Sequence, residues 1–232
     1  MKETIELKDL ISGRSIRSAM RIPTPEAAPS SDLLAIMSSF EDSARRFTNR
    51  YGNGRPHYFV GNLGDSLYRQ VNDRVRELRQ SYPQPSRRVF QHDLGIEEIE
   101  AGIWGGGSLQ TPRKGSPAIV NMIFRSDCGL LPLHIHPNSY RVIFILEGNG
   151  FGYFSTETLR EFGGKSVSRV SLRRGSVLCY GGETLHTFGT ESHGIELLTY
   201  HSAYFPFEEN EQYAVPIEYW SPSSYVSIKS VA

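Results

Sequence analysis

The chain has 232 residues, with 25 Lys and Arg against 25 Asp and Glu, so its formal net charge is zero. A neutral chain creates no field that draws it to nucleic acid or to a membrane surface, and no apolar run in it is long enough to cross a bilayer. Residues 1–15 lack the apolar segment of a signal peptide, and two cysteines, Cys128 and Cys179, are too few for a disulfide framework. These features predict a compact cytoplasmic protein that acts on a small molecule, without nucleic-acid or membrane partners.

Two amphipathic helices are predicted before residue 88. The first has Ser31 or Asp32 as its cap. Its apolar residues follow at three- and four-residue spacing: Leu33, Ile36, Met37, Phe40, Ala44 and Phe47. The second has the apolar stripe Leu67, Val71, Val75 and Leu78, and the prolines of SYPQPS end it. Residues 22–32 are expected to form a loop ahead of both helices, and residues 48–64 to separate them.

Short strand candidates replace the helical period after Arg88. They are AIVNMIF, YRVIFILEG, FGYFS, SVSRVSL, SVLCY, TLHTFG and GIELLTYHSAYF, separated by Gly, Ser, Asn and Asp at close intervals. This pattern indicates an antiparallel sandwich or barrel. Within it, ILEGNGFGYF predicts a hairpin, because Gly148, Asn149 and Gly150 supply the positive φ angles of a tight turn.

The stretch LPLHIHPNSYRVIFILEGNG, residues 131–150, contains a His-x-His pair. Residues i and i+2 of a strand point to the same face, so His134 and His136 project together while Ile135 faces the other way. Two converging imidazoles form half of a metal site; the alternative is one imidazole bonded to a carbonyl and one exposed, with no ion. His186, in GSVLCYGGETLHTFG, favours the metal site because it adds a third imidazole from a separate strand.

These two stretches resemble the two signature motifs of the cupin family. The first family motif runs Gly, five residues, His-x-His, three or four residues, Glu, six residues, Gly. His134, His136 and Gly148 keep this spacing, while Gly129 lies one place closer to the first histidine than the family pattern has it. The position of the family's Glu is taken by Arg141.

The second family motif runs Gly, five residues, Pro-x-Gly, two residues, His, three residues, Asn. Gly175 and His186 keep the full separation, with Gly181 in the proline slot, Glu183 in the second glycine slot and Thr190 in the asparagine slot. The resemblance covers about residues 90–205. It implies an all-β fold, a cupin-type double-stranded β-helix or jelly-roll barrel over residues 89–232, preceded by an N-terminal helical extension over residues 1–88.

By this resemblance His134, His136 and His186 would bind a divalent metal, with Fe(II) favoured and zinc, manganese or nickel as alternatives. Arg141 cannot replace the family's glutamate as a ligand, because a guanidinium stays protonated and offers no lone pair to a cation. Either the site has lost its metal, or it is a three-histidine site in which Arg141 holds an anionic group of the substrate. We favour the second interpretation, since three buried imidazoles without an ion would need other partners.

Thiol dioxygenases are similar in using three histidines without a glutamate, and an arginine for the substrate carboxylate. For Arg141 the competing hypothesis is an outward side chain paired with Glu147, which lies an even number of residues away on the same strand. His201, in ELLTYHSAYF, is the candidate catalytic acid or base; the alternative places it at the barrel rim. Glu183 either reaches the metal or is solvated.

The remaining candidates are weaker. Three tyrosines are interpreted as packing residues, namely Tyr140, Tyr153 and Tyr180, and three further histidines as surface residues, namely His57, His92 and His193. Three functional classes stay open. They are a metal-dependent enzyme acting on a small anionic metabolite, with dioxygenase-like oxidation favoured; a non-oxidative isomerase, lyase or cyclase using the metal as a Lewis acid; and a module that binds its ligand without turnover. Small cupins often form dimers, so the resemblance also implies a homodimer.

Overall fold

A computed structural model describes residues 33–51, 55–80, 97–100, 103–106, 114–124, 133–163, 167–204 and 213–214. The predicted loop over residues 22–32, the two cap candidates, Cys128 and His92 lie outside these ranges. The boundary near residue 88 does too, so the division of the chain into an extension and a barrel stays a prediction. None of the described helices is long and apolar enough to cross a membrane.

Both predicted helices are present. α1 spans Leu33–Tyr51 and α2 spans Asp65–Gln80. Each buries the stripe that its spacing predicts: Leu33, Ile36, Met37, Phe40 and Ala44 in α1, and Leu67, Val71 and Val75 in α2. The two helices share one hydrophobic core with the sheet, since the ring of Phe40 lies edge-on to that of Phe144 with 5.2 Å between centroids.

The described strands form one ten-stranded sheet. They are β1 (Tyr58–Asn62), β2 (Glu97–Glu100), β3 (Ile103–Gly106), β4 (Ala118–Phe124), β5 (His134–Ile135), β6 (Arg141–Ser155), β7 (Val167–Arg173), β8 (Ser176–Tyr180), β9 (His186–His201) and β10 (Tyr213–Ala214). The main path of antiparallel neighbours is β1-β8-β6-β9-β4-β3-β2; β7 also pairs with β6, β5 with β9, and β10 with β5. The antiparallel, strand-rich architecture confirms the prediction of a jelly-roll fold with helices at its N-terminal side.

The segment between the two helices contains a strand of the sheet. Its residues Tyr58–Asn62 form β1, which pairs with β8 in register from Tyr58 opposite Tyr180 to Asn62 opposite Ser176. Tyr58 and Phe59 are both buried, and the aromatic pair is what anchors so short a strand. Part of the region before residue 88 therefore belongs to the sheet.

The predicted hairpin around Gly148 is wrong. Residues Arg141–Ser155 form a single strand that continues through the glycines, and TLHTFG and GIELLTYHSAYF are likewise one strand, β9. Gly148 has φ 84°, but it lies at a register shift between β6 and β9, where the chain bulges without reversing. A positive φ is needed in both a turn and a bulge, so the glycine alone did not distinguish them.

The β6–β9 ribbon is rolled, and this brings its two ends together. Arg141 and Phe154 lie at opposite ends of β6, about 40 Å apart if the strand were straight. Tyr180 is the register partner of Arg141, yet its ring is 5.5 Å from the ring of Phe154 and 4.3 Å from that of His186. The bulges supply the bending that this closure requires.

The start of β6 is buried on both faces, from Arg141 to Leu146. Phe144 faces α1, as its ring contact with Phe40 shows, and so does Tyr140, which lies under the guanidinium of Arg45 at 4.7 Å. Because side chains alternate along a strand, Arg141 faces the opposite way, into the rolled sheet with Tyr180. The helices thus cover one face of this segment, and Arg141 lies on the other face, which it shares with the buried side chains of Ile143 and Ile145.

Gly148 provides a test of the bulge. A Cβ at this position would meet the carbonyl oxygen of Gly194 and lie 3.0 Å from the Cα of Ile195. We expect Gly148→Ala to lower the free energy of unfolding in urea by about 1–3 kcal/mol, because φ and the backbone contact are both unfavourable. Gly163→Ala is the control, since nothing lies within 4 Å of its added Cβ. Equal stability of the two variants would contradict the close approach.

Candidate metal centre

Three histidines from two strands meet inside the rolled sheet. His134 begins β5, His136 follows it by two residues, and His186 begins β9 directly opposite His134 in the β5–β9 register. His134 and His186 are buried, and His136 is partly exposed. The convergence of the His-x-His pair with the third histidine is as the strand parity and the motif spacing predict.

The cluster has the dimensions of a metal site. One nitrogen from each imidazole lies within 4.8 Å of the others. The Nε2 atoms of His134 and His136 are 3.1 Å apart, which agrees with the separation of about 3.0–3.4 Å for two ligands that bind one ion at about 2.1 Å. In the described part of the chain, no other group of His, Cys, Asp and Glu side chains meets this description. The residues present therefore fit a divalent ion.

A backbone contact fixes the tautomer of His186. Its Nδ1 lies 2.8 Å from the carbonyl oxygen of Thr184, and a carbonyl can only accept, so Nδ1 carries the proton. The lone pair of the imidazole is then on Nε2, the atom left to ligate. A ligating histidine in proteins is held by just such a second hydrogen bond.

The interior keeps its histidines neutral. Burial lowers the pKa of His136, His186 and His201 well below the ordinary value. The positive charge of Arg141 lowers each of these pKa values further. For His186, the neighbouring His134 lowers the pKa more than Arg141 does. Among the residues that the structure describes, no carboxylate acts on these three pKa values. Neutral imidazoles are the form that binds metal.

Arg141 is buried, and the outward orientation with a Glu147 pair does not occur. Only 6% of its surface is exposed, and its Nη1 donates to the Oγ of Ser139. That Oγ also accepts the backbone N–H of Ala203 at 3.2 Å. Glu147 is exposed and lies on the other side of the bulge, with its Oε1 3.4 Å from the Tyr68 hydroxyl. The guanidinium therefore adds its charge to the interior that holds the histidines.

His201 lies beside Arg141. It ends β9 as the register partner of Arg141, is 3% exposed, and has its ring 6.0 Å from that of Tyr204. Neither of its ring nitrogens hydrogen-bonds to any described residue. A buried imidazole with both nitrogens available can donate through one and accept through the other.

The other candidates are placed as follows. Glu183 is exposed in the turn before His186. The three tyrosines predicted to pack are all buried: Tyr140, Tyr153 and Tyr180. His57 is partly buried, whereas a surface position was expected: its Nε2 is buried and its ring lies 5.5 Å from that of Phe59. Burial also lowers the pKa of His57. The side chains of His92 and His193 lie outside the described residues.

Two residues that hold the candidate site residues in place were not predicted from the sequence. Ser139 contacts Arg141, and Thr184 contacts His186. Both are buried, with 3% and 0% of their surface exposed. Their only sequence signal is position, each two residues before the side chain it supports, which is too common a pattern to single them out.

No protein-family model matches the chain, and a search of curated proteins finds no similar sequence. Solved structures do match parts of it. A crystal structure of CapF with the inhibitor 3-isopropenyl-tropolone has 11% identity and a TM-score of 0.40 over 52% of this chain and 33% of that one. An oxalate decarboxylase variant from Bacillus subtilis has 16% identity and a TM-score of 0.42, over 53% of this chain and 31% of that one. The coconut allergen cocosin has 15% identity and a TM-score of 0.33, over 38% of this chain and 22% of that one.

The matched region thus spans about a third or less of the length of these proteins. Likenesses at this level do not bear on activity. The assignment to a cupin-type fold rests on features of the chain itself, which are the rolled antiparallel sheet and the three histidines that both motif segments bring together.

Proposed function

We propose that the protein is a metal-dependent enzyme of the cupin type that acts on a small anionic metabolite, with oxygen-dependent oxidation at Fe(II) as the favoured reaction. The observation that carries the proposal is the interior itself. Three histidines with the dimensions of a metal site lie near the buried guanidinium of Arg141, and in the described part of the chain no carboxylate acts on the pKa of His136 or of His186.

The charge balance supports an anionic substrate. Histidines bind an ion in their neutral form, so three of them would leave the full charge of a divalent ion uncompensated, and Arg141 adds another positive charge. A buried cationic pocket is unfavourable when dry, and an anion relieves it. The planar guanidinium suits a carboxylate or a phosphate, which it can bind through two parallel hydrogen bonds.

Each residue then has a separate task. His134, His136 and His186 would hold the ion, which supplies a Lewis acid and, as iron, one-electron redox chemistry. Arg141 would bind the acidic group of the substrate, with Ser139 holding the guanidinium in place. His201, neutral and next to Arg141, would take or give a proton at the substrate.

A non-oxidative reaction is the second candidate, and His201 is the observation that favours it. A neutral imidazole without a protein partner in the described residues is suited to moving a proton at a carbon or oxygen next to a carbonyl. Such chemistry is that of an isomerase, a lyase or a cyclase, in which zinc, manganese or nickel would serve as well as iron. Binding without turnover is the third candidate.

Elemental analysis of protein purified without added metal tests the choice of metal. Iron in the purified chain supports the oxidative reaction, whereas zinc moves the proposal to Lewis-acid chemistry. The assay for activity is a panel of small carboxylates and phosphate esters, followed by product detection in air.

For the substrate found in that panel, we expect consumption of dioxygen in proportion to product. The physical reason is that an oxygenase uses dioxygen as its oxidant, while an isomerase or lyase needs none. An oxygen electrode measures the dioxygen consumed per product formed, and the same reaction in an anaerobic chamber is the control without oxygen. Undiminished anaerobic turnover would rule out the oxidative reaction and leave the non-oxidative one.

A further inference from the structure

The turn that precedes His186 contacts two of the three candidate ligands. Residues 181–185 connect β8 to β9, and the turn itself closes through the backbone N–H of Thr184, which donates to the carbonyl of Gly181 at 3.1 Å. One end of the segment touches His136, and the other end touches His186. Its position makes it a candidate for setting the distance between these two imidazoles.

Gly182 holds the backbone at His136. The N–H of His136 donates to the carbonyl of Gly182 at 2.9 Å. A Cβ on Gly182 would meet the carbonyl oxygen of His136 and would lie 2.7 Å from that of Pro137. Both obstacles are backbone atoms, so a side chain here can only be accommodated if the two segments separate.

Thr184 holds the imidazole of His186. Its carbonyl accepts the Nδ1 proton of that ring at 2.8 Å, and its own Oγ1 donates to the carbonyl of His57 at 2.8 Å. Thr184 is fully buried. The threonine is therefore tied on one side to the ligand and on the other to the residue just before β1.

This arrangement departs from the family motif to which the segment is similar. The motif's Pro-x-Gly would fall at Gly181, Gly182 and Glu183, so the close approach to His136 occurs at the middle position. Glu183, in the glycine slot, is exposed and has no such contact with the ligands. The glycine that the backbone requires is thus displaced by one residue.

We infer that Gly182 and Thr184 are positioning residues of the metal centre, Gly182 by fixing the backbone of His136 and Thr184 by fixing the ring of His186. This inference rests on the proposed metal site. β1, the strand before α2, also takes part in positioning the site, because Thr184 is hydrogen-bonded to His57, the residue just before β1.

The test is a Co²⁺ titration of the full chain, followed by its visible absorption, with Gly182→Ala, Thr184→Val and Thr184→Ser. We expect the dissociation constant to rise by about 10- to 100-fold in Gly182→Ala, which must separate the backbone from that of His136. In Thr184→Val we expect a rise of about 10-fold, because this variant keeps the carbonyl that holds His186 but loses the hydroxyl bond that ties residue 184 to His57. Thr184→Ser keeps the hydroxyl and should bind within about threefold of the wild type. The absorption band should shift in the two impaired variants, because the ligand geometry changes.

Gly163→Ala is the matched glycine control, and a urea unfolding curve of every variant separates positioning from stability. If Gly182→Ala does not fold, the comparison of Thr184→Val with Thr184→Ser decides whether the turn positions the candidate ligands. Wild-type affinity and an unchanged spectrum in Thr184→Val would overturn the positioning role while leaving the metal site intact. A wild-type chain that binds no Co²⁺ would overturn both.

Discussion

His186→Ala is expected to lose the metal while the rolled sheet stays folded. Of the three clustered histidines, His186 alone lies on β9, and two imidazoles from the other segment do not complete a site. We expect the affinity for a divalent ion to fall by more than about 100-fold, beyond the effect of changing a supporting residue. Metal content per chain after dialysis, by elemental analysis, is the measurement.

His201→Ala is the matched control for this variant. His201 is a buried histidine on the same strand, but it is not one of the three clustered ligands. Its removal should leave metal content unchanged and should impair only proton transfer. If His186→Ala kept as much metal as the control, the assignment of the site would be wrong.

Arg141→Ala is expected to weaken binding of an anionic ligand by about 2–5 kcal/mol, the usual cost of removing one partner of a buried charge pair. Metal content should stay nearly the same, because Arg141 contributes no ligand atom. Arg141→Glu should have the opposite effect on the ion: it places a carboxylate beside the histidines, tightens metal binding and abolishes affinity for the anion. Calorimetric titration with the best carboxylate of the panel measures both variants.

Arg45→Ala is a control on the other face of the sheet. The guanidinium of Arg45 lies over the ring of Tyr140, the residue next to Arg141 in sequence but on the side covered by α1. Loss of that charge should leave the anion affinity unchanged. Equal affinities for the wild type and Arg141→Ala would remove the support for a cationic pocket.

The sequence predicted the histidine cluster from strand parity and from the resemblance to the two cupin motifs. Strand parity places His134 and His136 on one face, and the motif spacing brings His186 to them. The inward orientation of Arg141 followed from the motif position that it occupies. The pattern also predicted both helices, since their apolar stripes have a period that no strand shares.

The errors came from contacts between distant segments. Whether Gly148 turns the chain or bulges it depends on β9, whose Gly194 lies against it. β1 is a strand because β8 pairs with it. A segment of five residues between two helices does not show in its own sequence which strand it will pair with. His57, next to β1, is partly buried for the same reason. Ser139 and Thr184 each contact a side chain two residues away, but they are themselves held by distant segments, at Ala203 and at His57, which the sequence does not reveal.

The most direct test of the central claim is an anaerobic titration of the metal-free wild-type chain with Fe(II), with the bound metal counted and its ligands identified by X-ray absorption. The three-histidine centre predicts about one ion per chain, bound by three imidazole nitrogens and oxygen ligands from water or anion. Binding of less than about a tenth of an equivalent, or a ligand set without imidazole, would contradict it.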